Sequence, residues 1–235
     1  MLSDSKESRI RENLTRVRQR IAEAARRSGR DPREVTLIAV TKYVDADTAR
    51  LLIRAGCRDL GEARPQELWR KVQQLGAEDV RWHLVGHLQR NKITRTAPLV
   101  WLIHSADSPR LLEALDEHGS LSGLRVKVLL EVNISGDLTK TGMPVNEVAP
   151  LVDRLIGMPH VEVRGLMGMA ALEGDLDAAR RDFANLRELR DQLRTNLVGP
   201  TALPELSMGM SDDFEVAIEE GATMVRVGSA LFDGV

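Results

Sequence analysis

Hydrophobic and polar residues change their spacing along this chain, and the two spacings predict alternating helices and strands. Apolar residues first recur at helical spacing, at Ile10, Leu14, Val17 and Ile21. Together with the stop signal at Gly29, this periodicity predicts a helix over residues 3–29. The next segment, VTLIAVTK at 35–42, is an almost continuous apolar or β-branched run that ends on a lysine. Such a run is typical of a parallel strand that is buried on both faces.

Seven further strands are predicted after residues 35–42, each a short apolar run bounded by turn residues. They span residues 57–62, 80–87, 99–107, 124–135, 161–169, 204–210 and 222–230. Helical patterns separate them, and the longest of these, residues 175–194, is amphipathic. The repeats predict an α/β protein with one closed (β/α)8 TIM barrel over residues 1–235, because an open dinucleotide-binding sheet would carry GxGxxG after its first strand. No helix is expected after the last strand, so the N-terminal helix is expected to pack on the barrel there.

Composition and charge exclude several classes of partner. The 235 residues include 33 Lys and Arg against 35 Asp and Glu, so the net charge is −2 and no basic surface for nucleic acid or anionic lipid is indicated. The single cysteine, Cys57, lies in an apolar context that predicts a buried thiol and no internal disulfide. No signal peptide or membrane-spanning run is visible. We therefore expect a cytoplasmic protein that binds neither nucleic acid nor membranes.

Lys42 is the first candidate for chemistry, because barrel enzymes bind their ligands at the carboxyl ends of their strands. An amine that is removed from water at such a position loses its proton more readily and becomes nucleophilic. A lysine of this kind can form a Schiff base with a carbonyl compound. The alternative is an ordinary lysine at the end of a strand, and this segment by itself favours that alternative.

Two short segments near the end of the chain predict a phosphate site. SMGMS follows the seventh strand and RVGS follows the eighth, which are the positions where barrels commonly bind phosphate. The donors and close-approach positions in these segments are Ser207, Ser211, Ser229, Gly209 and Gly228. A helix opening at Asp212 would add its positive end. The alternative is that these are ordinary turn and capping residues, with Glu215 completing a capping box, and Asp212 and Asp213 would repel phosphate unless they turn outward.

Arg226 narrows the choice of ligand. Period-two alternation places it on the same face as Gly228, inside the barrel, where no other strand interior offers an obvious carboxylate partner. A cofactor atom would be a natural partner for the guanidinium. Phosphate donors, an interior arginine and a Schiff-base lysine together describe pyridoxal 5′-phosphate, with its ring nitrogen at Arg226 and its aldehyde on Lys42. A phosphorylated sugar on an aldolase-type lysine would satisfy much of the same set.

Other polar positions give weaker signals. His83 and His87 are four residues apart, but a strand setting lacks the helical face that a zinc-binding HxxxH motif needs, so we expect no metal site. Asn133 and Met167, near the ends of the fifth and sixth strands, are candidates either to line the ligand or to pack in the barrel core.

The chain resembles the pyridoxal phosphate homeostasis proteins, single-domain relatives of the alanine racemase barrel. The motifs that carry the resemblance are AVTK, DLGE, WHLVGHLQRNK, VLLEVNISGDLTKTG, GLMGM and LSMGMSDDFEVAIEEGATMVRVGSALF. The resemblance implies a barrel without the C-terminal β domain of the racemases, with pyridoxal phosphate held as an aldimine on Lys42 and Arg226 at the ring nitrogen. The phosphate would lie at Ser207, Met208, Gly209, Ser211, Gly228 and Ser229.

The resemblance also implies a cytoplasmic protein, a monomer or weak dimer, that buffers pyridoxal phosphate or delivers it to apo forms of enzymes. Racemases place bases on both faces of the substrate, and one of these is a tyrosine from a second domain or the partner subunit. The barrel accounts for the whole chain, and we expect strand alternation to turn the single tyrosine, Tyr43, away from Lys42. We therefore expect a carrier with at most residual chemistry on amino acids, with a pyridoxal-phosphate-dependent racemase or related enzyme as the alternative.

Overall fold

Eight parallel strands form a closed barrel in the computed structural model, which describes residues 2–76, 78–137, 139–171, 174–196 and 203–235. The barrel closes where β8 pairs with β1. The strands are β1 Thr36–Val40, β2 Asp59–Glu62, β3 Arg81–Leu84, β4 Leu102–Ala106, β5 Val126–Glu131, β6 Val161–Met167, β7 Glu205–Ser207 and β8 Met224–Val227. The (β/α)8 architecture predicted from the alternating pattern is confirmed.

One helix precedes the first strand, and the others connect consecutive strands around the outside of the barrel. They are α1 Leu2–Arg27, α2 Ala46–Arg54, α3 Pro65–Leu75, α4 Ile93–Thr96, α5 Pro109–Ser122, α6 Val145–Arg154, α7 Leu176–Asn196 and α8 Phe214–Glu219. After β8 the described residues form only a short 3-10 turn, Ser229–Leu231. The predicted lack of a helix after the last strand is thus confirmed for the part of the chain that is described.

Helix α1 packs where that last helix would lie. Its predicted apolar residues Ile10, Leu14, Val17 and Ile21 are all buried. The helix contacts α8, α2 and the final 3-10 turn. Two ion pairs join it to α8, Arg20 Nε to Glu215 Oε1 at 2.6 Å and Arg27 Nη2 to Glu219 Oε1 at 2.8 Å. Glu215 therefore pairs with α1 and does not complete the capping box considered from the sequence.

The apolar side chains of the strands divide between two sides of the barrel wall. One set packs against the surrounding helices, and the other forms a separate interior cluster of Ile38, Leu102, Leu129, Met167 and Met224. This division is the expected result of period-two alternation in a barrel whose interior is filled by side chains. The interior cluster forms an apolar layer inside the barrel.

The strands are shorter than the sequence pattern predicts, and the difference matters most at β1. The predicted strand 35–42 ends at Val40. Beyond it, Thr41 N–H still bonds to the Gly61 carbonyl at 2.9 Å, and then Val44 N–H bonds back to the Thr41 carbonyl at 3.1 Å and closes a turn. The apolar run continues past the strand because turn residues above a barrel can also be buried, so the run does not mark where the ladder stops.

The Cys57 thiol and the apolar character of the helices were also predicted from the sequence. Cys57 is buried as expected, and burial raises the pKa of its thiol to about 11. Among the helices that the structure describes, none is both long enough and apolar enough to cross a membrane.

Candidate functional site

A cavity of about 520 Å³ opens at the carboxyl end of the barrel. Its walls are largely apolar and include Val40, Val44, Val85, Met169 and Phe232. Its polar lining residues are Lys42, Ser211, Asp212, Arg226 and Ser229, together with the backbone of Gly228. The structure thus brings together, in one cavity, residues that the sequence assigned to a reactive amine, an interior guanidinium and a phosphate site.

Lys42 lies on the rim of this cavity and its side chain is exposed. Its Nζ is 4.7 Å from the centroid of the Tyr43 ring, and Tyr43 also lines the cavity. The expectation that Tyr43 turns away is therefore wrong, because β1 ends at Val40 and strand alternation does not extend into the turn. The expected burial of the Lys42 amine is also not found.

The turn that carries Lys42 rests on a buried ion pair that sequence reasoning missed. Thr41 Oγ1 donates to Glu62 Oε1 at 2.5 Å, and Lys71 Nζ donates to the Thr41 carbonyl at 2.6 Å and to the same carboxylate. The side chains of Lys71 and Glu62 are 1% and 0% exposed. Helix α3 and strand β2 thereby hold the backbone immediately before Lys42. A lysine within an otherwise amphipathic helix reads as a solvent-facing residue, so the sequence contained no signal for this pair.

The phosphate end of the cavity is built from the loops after β7 and β8. Gly228 N–H donates to Ser211 Oγ at 3.3 Å and so joins the two loops. A Cβ on Gly228 would lie 3.2 Å from the Val40 carbonyl oxygen, which shows how closely these backbones approach. Ser211, Gly228 and Ser229 therefore form a compact set of hydroxyl and backbone donors, the arrangement that phosphate groups favour.

The neighbouring carboxylates and helix differ from the sequence expectations. Asp213 Oδ1 accepts a hydrogen bond from Met210 N–H at 2.5 Å, so this carboxylate folds back into its own loop. Burial raises the pKa of Asp213. Helix α8 begins at Phe214 and spans six residues, so the predicted start at Asp212 is wrong. Asp212 is exposed at the edge of the cavity.

Arg226 is buried in the barrel interior, and its side chain lines the inner part of the cavity. Its Nη1 donates to Ser207 Oγ at 2.7 Å and its Nη2 donates to the Gly168 carbonyl at 3.1 Å. A guanidinium has five N–H donors, so donors remain for a ligand. Burial lowers the pKa of Arg226 to about 10, while the nearby carboxylates of Asp213 and Glu131 oppose this shift. The expectation that no carboxylate lies near the guanidinium is therefore wrong, because Glu131 on β5 is buried and close enough to act on it.

Five of the predicted site residues do not line the cavity. Ser207 is fully buried below it, and its hydroxyl lies between Arg226 and His104, 2.8 Å from His104 Nδ1. Met208 is buried on the helix side of the barrel wall, and its N–H bonds to the Met224 carbonyl. Met167 belongs to the interior cluster, and Met169, two residues later, lines the cavity in its place.

The fourth of these residues is Asn133, which lies in the loop after β5. Its Nδ2 donates to the Asp137 carbonyl at 2.8 Å. Gly209 also stays outside the lining, but it has a clear structural role: its φ is 89° and a Cβ there would lie 2.5 Å from Ala217 Cβ. Gly209 therefore lets α8 pack directly against the loop that presents Ser211.

His83 and His87 lie in different environments. Among the described residues no group of three or more His, Cys, Asp or Glu could hold a metal ion. His87 is exposed and pairs with Asp107 at 2.8 Å, whereas His83 is buried in the barrel interior. His83 Nδ1 lies 2.9 Å from His104 Nε2, a residue for which the sequence gave no functional signal.

Comparison with known proteins defines the class of this barrel. The family model described as the alanine racemase N-terminal domain matches residues 8–234. Alanine racemase of Clostridium difficile shares the fold with a TM-score of 0.74 at 16% identity, and the match covers 95% of this chain and 56% of the racemase chain. The fold is thus that of the racemase barrel.

Relatives of higher identity match over nearly the whole of both chains. The chain is 39% identical to the pyridoxal phosphate homeostasis protein of Aquifex aeolicus over 94% of this chain and 96% of the relative. It is 40% identical to that of Pseudomonas aeruginosa, covering 96% and 95% of the two chains. PipY of Synechococcus elongatus, solved with pyridoxal phosphate bound, has a TM-score of 0.83 at 36% identity, covering 95% and 99%. The chain belongs to the pyridoxal phosphate homeostasis protein family.

Proposed function

We propose that this protein binds pyridoxal 5′-phosphate in the cavity at the carboxyl end of the barrel. Its role is the intracellular homeostasis of that cofactor, by buffering it or delivering it to apo forms of the enzymes that use it. The relatives described above are named for this role, and PipY was solved with the cofactor bound. The observation that carries the proposal is the convergence of Lys42, Arg226 and the Ser211–Gly228 backbone and hydroxyl set in one cavity.

The residues present fit this cofactor. Pyridoxal phosphate supplies an aldehyde that reacts reversibly with amines, on an aromatic ring that also carries a nitrogen and a phosphate. The cavity volume of about 520 Å³ lies within the range of roughly 300–1,000 Å³ that is usual for small-molecule sites. Ser211, Gly228 and Ser229 would hold the phosphate, and the apolar walls would flank the ring.

Lys42 and Arg226 would bind the reactive ends of the ring. The Lys42 amine is free to approach an aldehyde because its side chain is exposed on the rim. Arg226 would donate to the ring nitrogen, and since a guanidinium only donates, that nitrogen would keep its lone pair and stay unprotonated. This arrangement weakens the ring as an electron sink and favours storage over turnover. We also propose that the protein acts in the cytoplasm as a monomer or weak dimer.

The first test is the loading of purified protein with pyridoxal phosphate. Wild-type protein should acquire visible absorption and, after borohydride reduction, a covalent mass increase on the peptide that contains Lys42. Lys42→Ala should lose both signals, because the other cavity groups bind without forming a bond. Lys92→Ala, a lysine outside the cavity lining, is the matched control and should keep both signals.

The same preparation tests the lack of turnover. Loaded wild-type protein should not exchange the α-protons of a panel of amino acids above the rate of free cofactor. Appreciable exchange that Lys42→Ala removes would contradict the carrier role and favour the enzyme alternative. A wild-type protein that binds no pyridoxal phosphate would overturn the proposal as a whole.

A further inference from the structure

A chain of polar side chains crosses the barrel interior below the cavity. At one end, Arg81 Nη2 donates to Asp59 Oδ2 at 2.6 Å, and Asp59 Oδ1 lies 3.0 Å from His83 Nε2. His83 Nδ1 is 2.9 Å from His104 Nε2, and His104 Nδ1 is 2.8 Å from Ser207 Oγ. Ser207 accepts the hydrogen bond from Arg226. The four residues Asp59, His83, His104 and Ser207, called here the interior relay, connect the amino end of the barrel to the guanidinium in the cavity.

The relay is buried, and it approaches solvent only at Asp59, at the amino end of the barrel. His83, His104 and Ser207 are 0% exposed, whereas Arg81, which pairs with Asp59, keeps about half of its side chain in water. Burial lowers the pKa of both histidines, and for His104 the lowering is large. Burial opposes ionisation of Asp59, but hydrogen bonds from His83 and Arg81 outweigh it and lower the pKa of that carboxyl. Two neutral imidazoles therefore lie between an anion and a cation.

The donor-only character of arginine sets the direction of the hydrogen bonds. Since Arg226 donates to Ser207 Oγ, the Ser207 hydroxyl is free to donate to His104 Nδ1. His104 then carries its proton on Nε2 and donates to His83 Nδ1. His83 in turn carries its proton on Nε2 and donates to the Asp59 carboxylate. With both rings neutral, each hydrogen bond along the chain from Arg226 to Asp59 then joins one donor to one acceptor.

The opposite direction needs an extra proton. If His104 Nδ1 donated to Ser207 and His83 Nδ1 donated to His104, a neutral His83 would turn a lone pair toward the Asp59 carboxylate. Only a doubly protonated His83 avoids this clash. The charged groups that act on His83 are Asp59 on β2, Arg81 on β3 and Glu205 on β7, and Arg226 on β8 acts on His104. Protonation of His83 would therefore reverse the relay. Ser207 Oγ would then accept from His104 as well as from Arg226, and its own proton would lose His104 Nδ1 as acceptor, which weakens the contact that holds Arg226.

We propose that the interior relay is a positioning device for Arg226, which in its neutral, one-directional state holds the guanidinium on the ring nitrogen of the bound cofactor and releases it on acidification. This inference rests on the proposed binding of pyridoxal phosphate, although the arrangement of protons in the relay does not. Ser207 thus acts on the ligand through Arg226 and does not contact the phosphate.

The proton arrangement is tested without cofactor. Nitrogen-15 NMR of the histidine side chains of the apo protein, assigned with single variants, should show both His83 and His104 as neutral rings protonated on Nε2 at pH about 7.5. A ring protonated on Nδ1, or a charged His83 at that pH, would overturn the relay whether or not the protein binds pyridoxal phosphate.

A double-mutant cycle tests whether Ser207 affects cofactor affinity through Arg226. Ser207→Ala leaves an N–H of Arg226 unpartnered and should weaken pyridoxal phosphate binding by about tenfold. In an Arg226→Gln background the same substitution should have no further effect, because the residue it acts through is gone. His87→Gln, which removes an exposed histidine with its own carboxylate partner, is the matched control and should bind as wild type.

The pH dependence of cofactor affinity in His83→Gln distinguishes a positioning role of the relay from a loss of folding. His83→Gln keeps an amide in the relay but cannot take up a proton. It should therefore remove the extra loss of affinity that wild type shows when the pH falls to the folded pKa of His83, which burial lowers below the ordinary histidine value. Equal losses from Ser207→Ala in both backgrounds, or an unchanged pH dependence in His83→Gln, would contradict the proposal. If Ser207→Ala does not fold, the His83→Gln pH profile and the NMR result decide.

Discussion

At the scale of single residues, Gly209 shows how one backbone conformation shapes the phosphate end of the cavity. Its φ of 89° belongs to the left-handed region, and a Cβ would lie 2.9 Å from Phe214 Cα as well as 2.5 Å from Ala217 Cβ. Glycine is the residue that adopts this conformation without strain. The loop that presents Ser211 therefore depends on the lack of a side chain two residues earlier.

Gly209→Ala should destabilise the protein by about 2–4 kcal/mol, since backbone strain and overpacking against α8 add together. It should also weaken pyridoxal phosphate binding, because relief of the overlap shifts the Ser211 loop. Urea unfolding and cofactor titration measure the two effects. Gly157→Ala is the control, since a Cβ there meets nothing within 4 Å and φ is not positive. A Gly209→Ala protein as stable as this control would show that the loop adapts freely.

At the scale of elements, β1 positions Lys42 only through its neighbours β2 and α3. Lys71 and Glu62 form an ion pair in the packed layer between them, and both bond to Thr41 at the point where the turn begins. Glu62 Oε2 has no hydrogen-bond partner among the described residues. Pairs of this kind position the backbone more than they stabilise it, because the desolvation of two charges offsets most of their attraction.

Lys71→Met should therefore cost about 3–5 kcal/mol, because it leaves the Glu62 carboxylate buried without a counter-charge. Adding Glu62→Gln should recover most of that loss, while cofactor attachment at Lys42 stays weaker than in wild type because the Thr41 carbonyl loses the hydrogen bond from Lys71 Nζ. Thermal unfolding and the visible absorption of loaded protein report the two quantities. Arg154→Met, which breaks a solvent-exposed pair with Glu113, should change stability little. A double variant less stable than Lys71→Met would show that the pair contributes net stability.

At the scale of the whole molecule, the buried histidines make the stability depend on pH. Because burial lowers the pKa of His83 and His104 in the folded state, the unfolded chain binds more protons as the pH falls below the ordinary histidine value of about 6.5. The two histidines thus contribute to the free energy of unfolding above that pH. This contribution is lost as the pH falls toward their pKa values in the folded state.

The free energy of unfolding should accordingly decrease between pH about 7 and about 5, and the slope should be smaller in a His83→Gln/His104→Gln variant. Glu131 and Asp213, whose pKa values burial raises, act in the opposite sense and are common to both proteins, so the difference between the two curves isolates the histidines. Urea titrations across this range provide the curves. Parallel slopes in the two proteins would contradict the buried, neutral state of the histidines.

The hydrophobic pattern along the chain was sufficient to predict the barrel and the face of α1 that covers it. It also predicted the strand ends from which one cavity receives Lys42, Ser211, Arg226, Gly228 and Ser229. These features follow from local periodicity and from the rule that barrel sites lie at carboxyl strand ends, and both can be seen along the chain.

The last residue of each strand and the side-chain contacts across the barrel could not be predicted without the folded chain. Tyr43 joins the cavity because β1 ends at Val40, and a run of apolar residues does not reveal the last hydrogen-bonded pair. Ser207 leaves the phosphate set because His104, 103 residues away in sequence, and Arg226 meet at its hydroxyl. Such contacts depend on the radius and register of the closed sheet, which no single segment of the sequence encodes.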